Sequence, residues 1–121
     1  MVIGIVEDDT SMLKGINRLL DVHGYSTELY NSAESYIDQA SASDAACLIV
    51  DIHLSGMSGI ELHRHLTASG STLPIIFITA VDNKQTEKAA LEIGCIAYLY
   101  KPFSAAVLID AIDRARAQKS H

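Results

Sequence analysis

Five short apolar runs recur along the chain at regular intervals: Val2 to Val6, Tyr25 to Leu29, Ala46 to Val50, Pro74 to Thr79, and Cys95 to Leu99. Each has the length of a β-strand. Between them apolar residues fall at helical spacing. Met12, Leu13, Ile16, Leu19 and Leu20 make one stripe, Ala33, Tyr36, Ile37 and Ala40 a second, and Leu108, Ile109 and Ile112 a third. Two further helices, around Ser58 to Thr67 and Asn83 to Leu91, are more weakly marked. Thr10 or Ser11 can cap the first helix and Ser104 the last, while Gly24 and Gly94 stop helices. The strict βαβαβαβαβα alternation predicts an α/β fold, a parallel sheet with helices on both faces. The first, third and fourth runs are nearly all apolar, as strands covered on both sides should be. Right-handed crossovers then bring every strand's carboxyl end to one edge of the sheet, where ligands bind at the reversal of strand order.

A chain of 121 residues fits a single domain, 1–121, so one site has to carry the function. The formal charge of -6, with only nine Lys and Arg scattered along the chain, argues against a nucleic-acid surface. No basic segment with a long apolar stretch follows Met1, and no run approaches the roughly 20 apolar residues that span a bilayer. The expectation is a cytoplasmic protein without a membrane partner. Cys47 and Cys95 fall in predicted strands, lack CxxC spacing, and read as small core residues. Ala115 to His121 is polar and is expected to fray.

The residues that terminate the strands are chemically distinctive. Glu7, Asp8 and Asp9 follow the first, Asp51 the third, Thr79 the fourth and Lys101 the fifth. Several carboxylates aimed at one crevice repel one another. A divalent cation resolves that conflict, and an all-oxygen donor set without a Cys or His cluster favours magnesium (Mg²⁺), which takes one or two carboxylates plus phosphate oxygens. Such a centre suits phosphoryl transfer, which depends on positioning and on neutralising the charge of the transferred group. Asp51 is then the nucleophile, Lys101 offsets phosphoryl charge from the other side, and the Thr79 hydroxyl donates to a remaining oxygen.

In these motifs the sequence resembles the receiver domain of two-component response regulators, over essentially its whole length. The resemblance is carried by Ile5-Val6-Glu7-Asp8-Asp9, Leu48-Ile49-Val50-Asp51-Ile52, Ser58-Gly59-Ile60-Glu61-Leu62, Pro74-Ile75-Ile76-Phe77-Ile78-Thr79-Ala80, and Gly94 through Tyr98 leading into Lys101-Pro102-Phe103. The spacings of 28 residues from Asp51 to Thr79 and 22 from Thr79 to Lys101 are also family-like. The resemblance implies a flavodoxin-like (βα)5 sandwich with strand order 2-1-3-4-5. It implies that Asp51 is the phosphoacceptor, Asp8 a direct metal ligand, Glu7 a second acid acting through water, and His53 a donor of its backbone carbonyl to the metal. Thr79 and Lys101 become phosphoryl contacts, and the Lys101-Pro102 peptide is expected to be cis. Tyr98 takes the switch-aromatic position, turning inward when Thr79 moves toward the phosphoryl group and so repacking the face of the fourth helix, fifth strand and fifth helix. The implied partner is a sensor histidine kinase or a histidine phosphotransfer protein, with homodimerisation through that face on activation.

The sequence departs from the family pattern at several points. Glu7 stands where Asp is commoner, and Ser55 where Pro usually follows four residues after the acceptor, which predicts a more mobile loop. His53 and Val81 occupy positions that gate water access to the phosphoryl group. His63 and His65, two apart on a helix, cannot share a face as ligands and read as surface residues, as do His23 and His121. Asp9 reads as a helix-capping or solvated acid.

Three other functions compete. A haloacid-dehalogenase-type phosphatase needs a second Asp two residues after the nucleophile, where this chain has His53. A flavodoxin needs hydroxyls and glycine after the first strand, where Glu7-Asp8-Asp9 would repel phosphate. An interaction module that is never phosphorylated would keep the fold but has no need of the complete set of acids, hydroxyl and lysine.

Overall fold

The computed structural model describes residues 1–119, which form β1 (Val2–Val6), α1 (Thr10–Val22), β2 (Ser26–Tyr30), α2 (Ala33–Gln39), β3 (Cys47–Asp51), α3 (Gly59–Ala68), β4 (Ile75–Thr79), α4 (Lys84–Glu92), β5 (Ala97–Tyr100) and α5 (Ala105–Lys119). The strands make one parallel sheet in the order β2-β1-β3-β4-β5, as the resemblance implies. Alternation along each strand splits the core in two. Ile3, Ile5, Ile49, Ile76 and Ile78 cluster with Ile16 and Leu20 of α1 and Leu108 and Ile112 of α5. Val6, Leu48, Val50, Ile75 and Phe77 cluster with residues of α2, α3 and α4, including Tyr36, Leu62 and Ala90. Every residue of β3 and β4 is buried, so both faces of these strands are covered. Each fully buried Ile or Leu contributes about 1.5–3 kcal/mol, and a one-residue register slip would carry all of them to the wrong layer. The register that aligns Asp51 with Ile78 is therefore fixed by packing.

Several sequence expectations need correction. β2 starts at Ser26, because the Tyr25 N–H is engaged by the Leu20 carbonyl at the end of α1. β5 starts at Ala97, because the Cys95 N–H returns to the Ala90 carbonyl of α4, so Cys95 is half-buried beside a helix end and not in a strand. β3 extends one residue further than expected and includes Asp51. The cap of α1 is Asp9, whose carboxylate accepts from the N–H groups of Ser11 at 2.9 Å and Met12 at 3.1 Å, and not Thr10 or Ser11, which lie inside the helix. The segment expected to fray from Ala115 is helical through Lys119, with Ala115 fully buried against the sheet. His121 lies outside the described residues.

His63 is not a surface residue. Gly59, Leu62, His63 and Leu66 are the buried positions of α3, the i, i+3, i+4, i+7 pattern of a single face. The imidazole stacks at a tilt on Phe77 with centroids 5.9 Å apart, and its Nδ1 lies 3.2 Å from the Thr67 hydroxyl. His23 and His65 are exposed, as expected.

Candidate functional site

The parallel strands deliver their last residues to one edge, and there the acids meet. Glu7 follows β1 directly, and its N–H still pairs with the Tyr30 carbonyl of β2 at 3.0 Å, which pins its backbone in the sheet. Its side chain is completely buried. Asp51 closes β3 with 6% exposure, and Thr79 closes β4 with none. The chain after Asp51 must turn sharply, and α3 packs so closely that a Cβ on Gly59 would stand 2.5 Å from the Asp51 carbonyl oxygen. Only a residue without a side chain fits there. Helix α3 opens at that point through a reciprocal cap between Ser58 and Glu61.

Lys101 follows β5, its N–H held by the Thr79 carbonyl at 2.7 Å, and the Lys101-Pro102 peptide is cis. Its Nζ reaches Glu7 Oε1 at 2.6 Å and Asp51 Oδ2 at 2.9 Å. One oxygen each from Glu7, Asp8 and Asp51 lie within 4.8 Å of one another. Two like charges at about 4 Å repel by roughly 4 kcal/mol at an effective dielectric constant near 20, so one ammonium leaves a three-acid cluster short of positive charge. Glu7 shows the consequence: burial, together with the neighbouring Asp51, pushes its carboxyl up to about 7 despite the Lys101 ammonium. For Lys101, burial works against the charged form, but its bonds to Glu7 and Asp51 prevail and hold it above the ordinary lysine range.

Asp8 is the exposed member of the group and behaves in the opposite way. Its Oδ2 accepts from the Ser55 N–H at 2.9 Å and the Ser55 hydroxyl at 3.0 Å, and these bonds hold its carboxyl below the usual aspartate range. Asp51 Oδ1 accepts from the His53 N–H at 2.9 Å, so each oxygen of Asp51 is fixed by a different donor. The His53 side chain is exposed. The donor set fits a hard dication: all oxygen, one exposed carboxylate, Asp8, beside two buried ones, Glu7 and Asp51, that share the lysine.

Thr79 uses its hydroxyl oxygen to accept from the Val81 N–H at 3.1 Å. Tyr98 stands apart from the acids, in register with Phe77 and packed on the α2–α3–α4 side of the sheet. Its ring meets Tyr100 edge-on at 5.4 Å, and the Tyr100 hydroxyl donates to Glu87 of α4. The Tyr98 hydroxyl is buried and has no hydrogen-bond partner among the described residues.

Two residues at this edge escaped the sequence reading. Ser55 stands out in the sequence only as a departure from the family pattern, and no spacing ties it to Asp8. Glu34, in the first turn of α2, accepts from the Met57 N–H at 3.0 Å and so holds the same loop from the other side. An acid at a helix start has an ordinary local use, and nothing in the sequence pairs it with residue 57.

Comparison with known proteins agrees with this architecture. The family model of the response regulator receiver domain matches residues 3–113. Response regulator protein TodT of Pseudomonas putida is 32% identical over 114 residues, covering 94% of this chain and 50% of that protein. The crystal structure of FixJ-N is similar at a TM-score of 0.88 and 30% identity, over 94% of this chain and 91% of the other. Response regulator StyR is similar at a TM-score of 0.87 and 35% identity, over 94% of this chain and 58% of the other. The chain spans about half the length of curated relatives such as TodT and the transcriptional regulatory protein FixJ of Bradyrhizobium diazoefficiens. No helix among the described residues is long and apolar enough to cross a membrane. With a match that begins in β1 and ends in α5, the chain belongs to the receiver-domain family of two-component response regulators.

Proposed function

We propose that this receiver takes a phosphoryl group onto Asp51 from the phosphohistidine of a sensor histidine kinase or histidine phosphotransfer protein, acting in the cytoplasm, and that the modification switches a surface for signalling. The observation that carries this reading is the convergence of Asp51 with Lys101 at 2.9 Å beside the acids Glu7 and Asp8. A carboxylate oxygen of Asp51 attacks phosphorus, the phosphorus–nitrogen bond of the donor breaks, and the imidazole leaves with the bonding pair. Asp8 and Asp51 are the direct Mg²⁺ ligands in this reading, the backbone carbonyl of His53 a third, and Glu7, paired with Lys101, acts through water. The bound dication supplies neutralisation of phosphoryl charge. Lys101 offsets charge from the opposite side and Thr79 donates its hydroxyl to a phosphoryl oxygen.

A switch through Thr79 and Tyr98 is part of the same reading. When Thr79 turns its hydroxyl toward the phosphoryl group it gives up the Val81 N–H, and Tyr98 moves into the space released. Its hydroxyl has no hydrogen-bond partner to lose among the described residues. The face formed by α4, β5 and α5 then repacks. Leu91 and Val107, 54% and 46% exposed, are apolar residues of those helices that a homodimer formed through that face would cover. The receiver catalyses its own phosphorylation and slow dephosphorylation and turns over no other substrate.

Incubation with acetyl phosphate and Mg²⁺ is expected to label the protein stoichiometrically. Labelling should vanish in Asp51→Asn, in Asp8→Asn with the fold intact, and in EDTA. Label that survives Asp51→Asn excludes this acceptor, absence of label in the unaltered protein leaves a receiver-like interaction module, and steady turnover of a phosphomonoester would indicate a phosphatase.

A further inference from the structure

The loop after β3 lacks the proline that stiffens it in the family pattern, and two carboxylates on separate elements hold it instead. Ser55 gives both of its donors to a single oxygen of Asp8, the N–H at 2.9 Å and the hydroxyl at 3.0 Å. The N–H is available only because residue 55 is not proline. Two residues on, the Met57 N–H donates to Glu34 Oε2 at 3.0 Å. Between these contacts Gly56 has φ 77°, and a Cβ there would lie 2.6 Å from the same Glu34 oxygen. A glycine at 56 therefore serves both the left-handed turn and the approach of Glu34. The loop is tied at one end to β1 through Asp8 and at the other to α2 through Glu34.

We propose that Ser55 is a positioning residue for the divalent cation: by taking Asp8 Oδ2 with two donors it fixes the carboxylate plane for ligation, while Glu34 keeps the loop in place. The inference rests on the reading of Asp8 as a Mg²⁺ ligand. Its physical basis is that a carboxylate on an exposed loop is otherwise free to rotate about two torsions, and ordering it at the moment of binding costs free energy that a prior hydrogen bond removes. The hydroxyl does what a proline cannot, because it contacts the ligand directly rather than stiffening the chain around it.

The test is the Mg²⁺ dissociation constant of the unphosphorylated protein, read from backbone amide chemical shifts, since the chain has no Trp to report by fluorescence. Ser55 is exposed, so Ser55→Ala keeps the fold. It should weaken Mg²⁺ binding about five- to tenfold, the scale of losing one hydrogen bond to a metal-ligating carboxylate. Ser55→Thr, which retains the hydroxyl, should restore affinity to within about twofold of the original. Glu34→Ala should weaken binding by about twofold and speed amide exchange at Met57. Equal affinity in Ser55→Ala, tighter binding there, or failure of Thr to restore it overturns the role of the hydroxyl while leaving Asp8 as a ligand. If the unaltered protein shows no Mg²⁺-dependent shifts around Asp8 and Asp51, the metal site itself is wrong and this inference falls with it.

Discussion

Lys101 donates to the Glu7 carboxylate at 2.6 Å, an ion pair in which the acid has no exposed surface. The same ammonium holds Asp51 at 2.9 Å, so one cation serves two buried acids. Removing one partner of a buried pair costs about 3–5 kcal/mol when the other stays charged, but Glu7, whose carboxyl is pushed up to about 7, escapes part of that by taking a proton. Lys101→Met should lose about 2 kcal/mol in urea unfolding at pH 7 without Mg²⁺, yet less than about 1 kcal/mol when introduced into Glu7→Gln. Strictly additive losses would show that the pair is not coupled as its geometry requires.

A different outcome is expected on the opposite side of the sheet. The Tyr98 hydroxyl is buried without a partner among the described residues, and a buried unsatisfied polar group costs about 1–3 kcal/mol. Tyr98→Phe removes the hydroxyl and keeps the ring against Tyr100. The variant should be as stable as the unphosphorylated protein or more so, by up to about 1 kcal/mol. A clear loss of stability in thermal melts would mean that the hydroxyl is satisfied.

Glu28, on β2, is not a member of the acid cluster and offers a separate pH test. Burial pushes its carboxyl up, but the donors Ser43 Oγ at 2.6 Å, the Asp44 N–H at 2.9 Å and the Tyr30 hydroxyl at 2.9 Å outweigh it and hold the group below its ordinary value. A carboxyl lowered on folding adds stability above its unfolded value, about 4.3, and that stability disappears as pH falls through the folded value. Glu28→Gln should therefore cost about 1 kcal/mol at pH 7, discounted for partial exposure, with the gap to the parent narrowing below pH 4. A gap that stays constant down to acid unfolding would contradict the charge-based account.

The cysteines give a chemical prediction. Burial pushes the Cys47 thiol up to about 12 and Cys95 up to about 11, so at pH 8 almost no thiolate is present at either. Alkylation of the native protein at pH 8 should be slower than that of a free peptide thiol by at least roughly a hundredfold, and both sites should react at once in denaturant. Rapid native labelling of Cys95 would show that its cover against α4 opens readily.

The alternation of apolar runs with helical stripes was enough to place five strands and five helices and to state which residues end each strand. Both signals are local, a period of two or of 3.6 residues with turn chemistry between, and local signals survive in a bare sequence. The boundaries at Tyr25 and Cys95 went astray because a helix's terminal hydrogen bonds reach one residue into an apolar run. His63 carried a readable signal, its i+4 relation to Gly59 beside Leu62 and Leu66, that residue polarity masked.

What the sequence by itself determined is the order of the elements and the sharing of one sheet edge by Glu7, Asp8, Asp51, Thr79 and Lys101. Only the tertiary structure decided how those side chains divide the work: Lys101 binding Glu7 across 94 residues, Ser55 holding Asp8 across 47, and Glu34 holding Met57 across 23. These partnerships are set by where packed strands place their ends and by which acids remain in water. Packing gives Glu7 no exposed surface and leaves Asp8 in solvent, a difference between two adjacent carboxylates that no residue pattern along the chain encodes.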